Sequence, residues 1–288
     1  MKQRSLWRRI VDFPLVSMVI GVLVILIGLT VAGAIAKFAI PGKAAGPVNY
    51  LTGFYLVAMP ILVLLYVFVI AKLGRHPRND LRDPKAVQRG VAGLAAGGLL
   101  FSVVVAVAAA LGVYRIVGPG DTSGMVAALL GSALFPALSE EMLFRGVLFR
   151  WLEEFGGSWL ALFLTSAFFG ASHLLNPNAS SIAAIGIAVE AGVMLGAAYM
   201  LTRSLWLPMG IHAAWNFTQG EIYDIPVSGM PVHGVVDARL CCNPLLTGNG
   251  FGLEASLIAM VIATLFGLWL LWLAIRRGEL KRPMWMQG

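Results

Sequence analysis

Charge is what this chain has least of. Only 12% of its 288 residues are Asp, Glu, Lys or Arg, about half the share of a soluble domain, which excludes a water-soluble fold with an ordinary polar surface. Cysteine is nearly absent. Cys241 and Cys242 are adjacent, which excludes a disulfide framework and gives no metal-ligand spacing. Neither His-Glu-x-x-His nor Gly-x-Ser-x-Gly occurs, so the helical zinc-protease and serine-elbow signatures are missing. No internal repeat or low-complexity tract divides the chain.

What is present in abundance is apolar: 59% of the residues are hydrophobic, and the bilayer is the solvent that composition fits. Four runs carry no charge and exceed the roughly 20 residues a helix needs to cross the hydrocarbon core: Val16–Ala36, Leu51–Ala71, Val91–Val113 and Ala255–Ile275. Four more apolar segments carry ionisable groups: Met125–Leu152, Trp159–His173, Ile182–Leu201 and Leu205–Phe217. The expected fold is an all-α polytopic membrane bundle of about eight transmembrane helices. Residues 1–123 hold the first three spans, 124–218 a four-helix core, 219–252 an outer loop and 253–288 the last span with a basic tail, all within one membrane domain. The first apolar run exceeds a signal-peptide core and reads as a retained signal anchor.

The net charge of +7 does not mark a nucleic-acid face, because the basic residues sit in short segments beside the apolar runs. With eight spans and N-in, C-in topology, 17 of the 21 Lys and Arg residues fall on the inner side; Lys37, Lys43, Arg115 and Arg239 do not. The expected location is the inner cell membrane, with lipid as the surrounding partner and no nucleic acid bound. The oligomeric state is not readable.

Charges and imidazoles in lipid cost roughly 2.5 kcal/mol or more at a helix centre, so they face the bundle interior and mark function. In Ser139-Glu140-Glu141-Met142-Leu143-Phe144-Arg145, Glu141 and Arg145 are four apart and share a helix face, while Glu140 points about 100 degrees away. If the fourth and fifth segments form a hairpin turning at Phe155–Ser158, Glu140 lies 14 residues before Glu154 and His173 lies 15 after Ser158. Both then sit roughly 21 to 22 Å from the turn, at one depth. Phe169, one turn before His173, is a candidate apolar wall. His212 and Asn216 share a face of the seventh segment. A carboxylate beside an imidazole can polarise a water, and an imidazole with an amide can hold an oxyanion.

The ordered set Glu140-Glu141-x-x-x-Arg145, Phe169-x-x-x-His173 and His212-x-x-x-Asn216 resembles the CPBP family of intramembrane endopeptidases, which includes the type II CAAX prenyl endopeptidases and bacterial abortive-infection proteins. The resemblance covers Met125–Phe217. It implies a peptidase acting on peptide or membrane-anchored protein substrates, with Glu140 and His173 activating the attacking water and His212 and Asn216 stabilising the oxyanion. Glu141 and Arg145 are supporting groups on this reading, and a charge-neutralising pair on a purely structural one. No cofactor is expected; zinc held by Glu140, His173 and His212 is the alternative. Glu190, mid-span and outside the three motifs, is a supporting group or an interhelical hydrogen-bonding residue. Trp206, Trp269 and Trp272 read as interfacial or lipid-facing aromatics.

Two further readings remain open: a non-enzymatic immunity or scaffold protein keeping these residues as a polar network, and a proton-coupled carrier using Glu140, Glu190 and the histidines. Gly118-Pro119-Gly120-Asp121 and Tyr223-Asp224 resemble aspartyl-protease motifs but lie in outer loops and in reverse order.

Overall fold

Long apolar helices dominate the computed structural model, which describes residues 5–39 and 47–286. Lys2, Arg4 and Lys43 of the charge count lie outside the described residues. Six helices are long and apolar enough to cross a membrane. The first three, Pro14–Ala39, Pro47–Phe68 and Ala86–Ala110, are plain spans. The fourth stretch, Met125–Leu175, folds back at Gly157, whose φ of 81° and ψ of 170° leave the helical region. It thus supplies the expected hairpin, the fourth and fifth spans. Positive φ is accessible to glycine without a Cβ clash, and a Cβ here would meet the Lys281 carbonyl at 2.9 Å. Ser181–Thr202 and Leu257–Arg276 are the sixth and last spans. Between them, Trp206–Phe217 continues as the π-helical Thr218–Ile222, the shorter seventh passage. The eight apolar segments of the sequence are therefore all helical among the described residues, within six helices long and apolar enough to cross a membrane and the shorter Trp206–Phe217.

The segments read as inner loops share one face. Arg150 Nη1 donates to the Arg78 carbonyl at 3.0 Å. Arg203 pairs with Glu153 at 2.6 Å and with Glu279 at 3.0 Å. Lys281 Nζ lies 3.2 Å from Glu153, and the Phe13 ring meets Phe155 edge-on at 6.1 Å. The start of the first span, the Gly157 turn and the C-terminal tail thus end together, as an even number of passages requires. Arg145 departs from the charge count. It is wholly buried mid-bundle and belongs to no loop.

On the opposite face the structure adds a small element the all-α reading left as loop: strands Tyr114–Pro119 and Val236–Leu240 pair antiparallel, with a register irregularity between Ile116 and Gly118. Alternating burial along Val236–Leu240 shows why a short polar-apolar alternation pairs rather than stays irregular.

Small residues set the interhelical distances. A Cβ on Gly97 would stand 2.2 Å from the Ile211 carbonyl oxygen, and one on Gly93 2.5 Å from that of Leu207, so the third span packs backbone to backbone on the seventh. Gly170 and Gly192 bring the fifth and sixth spans together in the same way, through Ala184 and Ser166. Outward faces remain apolar: Leu23, Ile27, Leu99, Leu265, Trp269 and Trp272 are exposed, as lipid contact demands.

Candidate active site

The helices that carry the ionisable residues are locally widened. Four π-helical segments occur, Leu129–Leu134, Met142–Phe149, Ala188–Gly192 and Thr218–Ile222, and π turns concentrate at functional sites because they re-aim side chains and loosen carbonyls. The widened turn at Ala188–Gly192 shows the effect. Its Gly192 carbonyl accepts a hydrogen bond from Arg145 Nη2 at 3.2 Å.

Glu141 and Arg145 pair at 2.9 Å with both side chains fully buried. The same Glu141 oxygen lies 3.0 Å from His212 Nδ1. The sequence reading kept Glu141 as a partner for Arg145 alone; the structure makes it the carboxylate that holds an imidazole. The guanidinium also stacks over Phe169, 4.8 Å from the ring centroid. Phe169 in turn lies 4.9 Å from the His173 ring and 6.1 Å from that of His212. It is the apolar wall expected, and it separates the two imidazoles.

Glu140 is placed differently from the hairpin argument. Its carboxylate, one-third exposed, approaches His212 Nε2 at 4.0 Å, its Oε2 has no hydrogen-bond partner, and no hydrogen bond or ion pair joins it to His173 among the described residues. His173 Nδ1 instead bonds its own helix at the Phe169 carbonyl, 2.7 Å away. A carbonyl only accepts, so Nδ1 carries the hydrogen, and in the neutral ring it is Nε2 that bears the lone pair. The hairpin argument placed Glu140 and His173 at one depth and facing each other. The direction differs, because the fourth span is π-helical from Met142 to Phe149 and an ideal α-helix misplaces its side chains.

His173, His212 and Asn216 meet around a small cavity of about 30 Å³, room for one or two waters. Asn216 Nδ2 donates to the Ser132 carbonyl at 2.9 Å, which fixes the amide and leaves its second N–H. Glu190 lines the same cavity, 1% exposed, with Oε2 unpartnered. So does Glu254, a residue the motifs missed. It stands in the short turn Leu253–Ala255 ahead of the last span, buried, and accepts from the Ser228 amide. Burial raises its carboxyl above the ordinary range, with the neighbouring His173, the Ser228 contacts and His212 pulling part of the way back. The one signal in the sequence was a lone acid immediately before a charge-free run.

Among the described residues no group of three His, Cys, Asp or Glu side chains is placed to hold a metal, so Glu140, His173 and His212 do not form a ligand cluster.

With the motifs gathered in one place, one comparison with known proteins covers them. Residues 122–218 match the Rce1-like family, type II CAAX prenyl endopeptidase Rce1-like. The match spans Glu140 to Asn216, and the resemblance carried by the three motifs names the same family. At family level it supports an integral membrane peptidase of the CAAX-protease type. Glu254 lies outside the Rce1-like segment, in the part of the chain that closes over it. No curated protein and no solved structure matches the chain.

Proposed function

We propose that this protein is an intramembrane endopeptidase that hydrolyses peptide bonds of peptides or membrane-anchored proteins through a water activated by Glu140 and His173. The observation that carries the reading is the meeting of His173, His212 and Asn216, from three separate spans, at one small cavity, with Glu140 4.0 Å from His212 Nε2 and Glu141 3.0 Å from its Nδ1.

In the proposed reaction Glu140 and the free Nε2 of His173 take a proton from water, and the hydroxide oxygen bonds to the scissile carbonyl carbon. His212 and the second N–H of Asn216 hold the oxyanion. Collapse breaks the C–N bond, and the proton first taken from water passes to the leaving amine. Glu141 acts as a positioning residue: its bond to Nδ1 turns Nε2 of His212 toward Glu140. Glu140 and Glu141 thus stand at the two nitrogens of the ring, and Nε2–H is the donor offered to the oxyanion. Glu190 and Glu254 bound the cavity on its far side. The excess of Lys and Arg on the face that holds Arg78, Arg150, Arg203 and Lys281 supports a cytoplasmic orientation for it, in the inner cell membrane.

The test is substrate trapping in native membranes. Glu140→Ala, His173→Ala and His212→Ala should each cause the same uncleaved proteins to accumulate, at unchanged levels of inserted enzyme. Normal turnover in all three variants sinks the reading. Proton flux into proteoliposomes that survives loss of cleavage would point to the carrier instead.

A further inference from the structure

A second polar cavity, on the basic face and apart from His173 and His212, has a volume of about 330 Å³, within the range of small-molecule sites. Arg75, His76, Arg78, Arg150, Glu154 and Lys281 line it. Its charges do not cancel. Arg78 is paired with Asp80 at 2.9 Å. Lys281 and Arg203 are balanced by Glu153 and Glu279. Arg150, 4% exposed, donates only to the carbonyls of Arg78, His76 and Leu73, so its charge meets dipoles and no carboxylate. Arg75 makes no ion pair among the described residues. Against these two cations the cavity wall holds one acid, Glu154, its buried Oε1 without a hydrogen-bond partner. The wall keeps one positive charge in excess, and Arg150, the buried one of the two cations, is costly until an anion joins it.

Position identifies the source of that anion. Pro14, which opens the first span, and Met284 of the tail complete the cavity wall. On the same face Leu6, Trp7 and Trp285 are exposed, with the Trp285 ring 5.6 Å from that of Phe155 at the hairpin turn. Exposed tryptophans beside arginines mark the level of lipid headgroups, and basic pockets between spans at that level bind them.

We propose that this cavity binds the phosphate of a membrane phospholipid, a phosphodiester whose single negative charge matches the excess. Arg75 and Arg150 face the phosphate, and Glu154 accepts from a hydroxyl or ammonium elsewhere in the headgroup. The bound lipid ties the Arg75–Arg78 loop and the tail to the end of the span that carries Glu140 and Glu141.

Thermal unfolding of the purified full chain in mixed micelles tests this. Phosphatidylglycerol should raise Tm by at least about 2 °C, whereas diacylglycerol with the same acyl chains and millimolar inorganic phosphate should not. Arg75→Gln, at an exposed position, should need roughly tenfold more lipid for half the shift, while Arg115→Gln on the opposite face should behave as wild type. An equal shift from diacylglycerol overturns the phosphate contact. An equal shift from inorganic phosphate overturns the lipid source. A full lipid response in Arg75→Gln overturns the site.

Discussion

Glu141 and His212, from the fourth and seventh spans, are joined at 3.0 Å through an oxygen that also binds Arg145 at 2.9 Å. One carboxylate therefore locks the orientation of the imidazole and neutralises a buried guanidinium. Adjacent Glu140 does neither.

The two glutamates should separate stability from activity. Removing one partner of a buried ion pair costs about 3–5 kcal/mol, so Glu141→Gln should lower the Tm of purified protein sharply. Glu140→Gln, one-third exposed and without a hydrogen bond, should melt close to wild type yet cut substrate turnover by roughly 10²-fold or more. A large Tm loss in Glu140→Gln would assign that residue a structural role.

Asn216→Ala removes the amide proposed to hold the oxyanion. A loss of about 10²–10³-fold in kcat with KM nearly unchanged is expected, measured on a cleaved substrate once trapping has identified one. A rise in KM alone would place the amide in substrate binding.

Helix spacing should control the site from a distance. Gly97→Ala drives a methyl into the Ile211 carbonyl, one residue before His212, and overpacking of this kind costs about 1–3 kcal/mol. Both Tm and activity should fall. Gly98→Ala is the control, since its Cβ would stand 3.4 Å from the Thr218 hydroxyl, and it should leave both unchanged.

Glu254 gives a pH signature. Its folded carboxyl is raised by burial, so the folded state holds this proton more tightly than the unfolded chain does. Its contribution to stability then falls as pH rises past the unfolded value of about 4.3, and levels off above the folded one. Glu254→Gln cannot ionise. The Tm advantage of the variant over wild type should therefore grow with pH across that interval, read by thermal unfolding in a pH series. A constant difference would show that Glu254 does not titrate on its own.

Much of the site was legible because helices repeat on a short, fixed period. The i, i+4 pairing of Glu141 with Arg145, the shared face of His212 and Asn216, and the Phe169 wall beside His173 all follow from local spacing, and the Gly157 turn from a Gly-Gly-Ser break. Glu190, which the sequence left between a supporting group and an interhelical hydrogen bond, lines the cavity. Glu254 was illegible: nothing local ties a loop residue to imidazoles about 40 and 80 positions earlier.

Hydropathy alone determined that this chain is an all-α membrane bundle, because lipid forces each backbone segment to satisfy its own hydrogen bonds and leaves the apolar run lengths readable. Only the tertiary structure decided which acid meets which imidazole. That choice depends on π-helical turns that shift side-chain direction and on glycine contacts that set how closely the spans approach, neither of which a periodic pattern records.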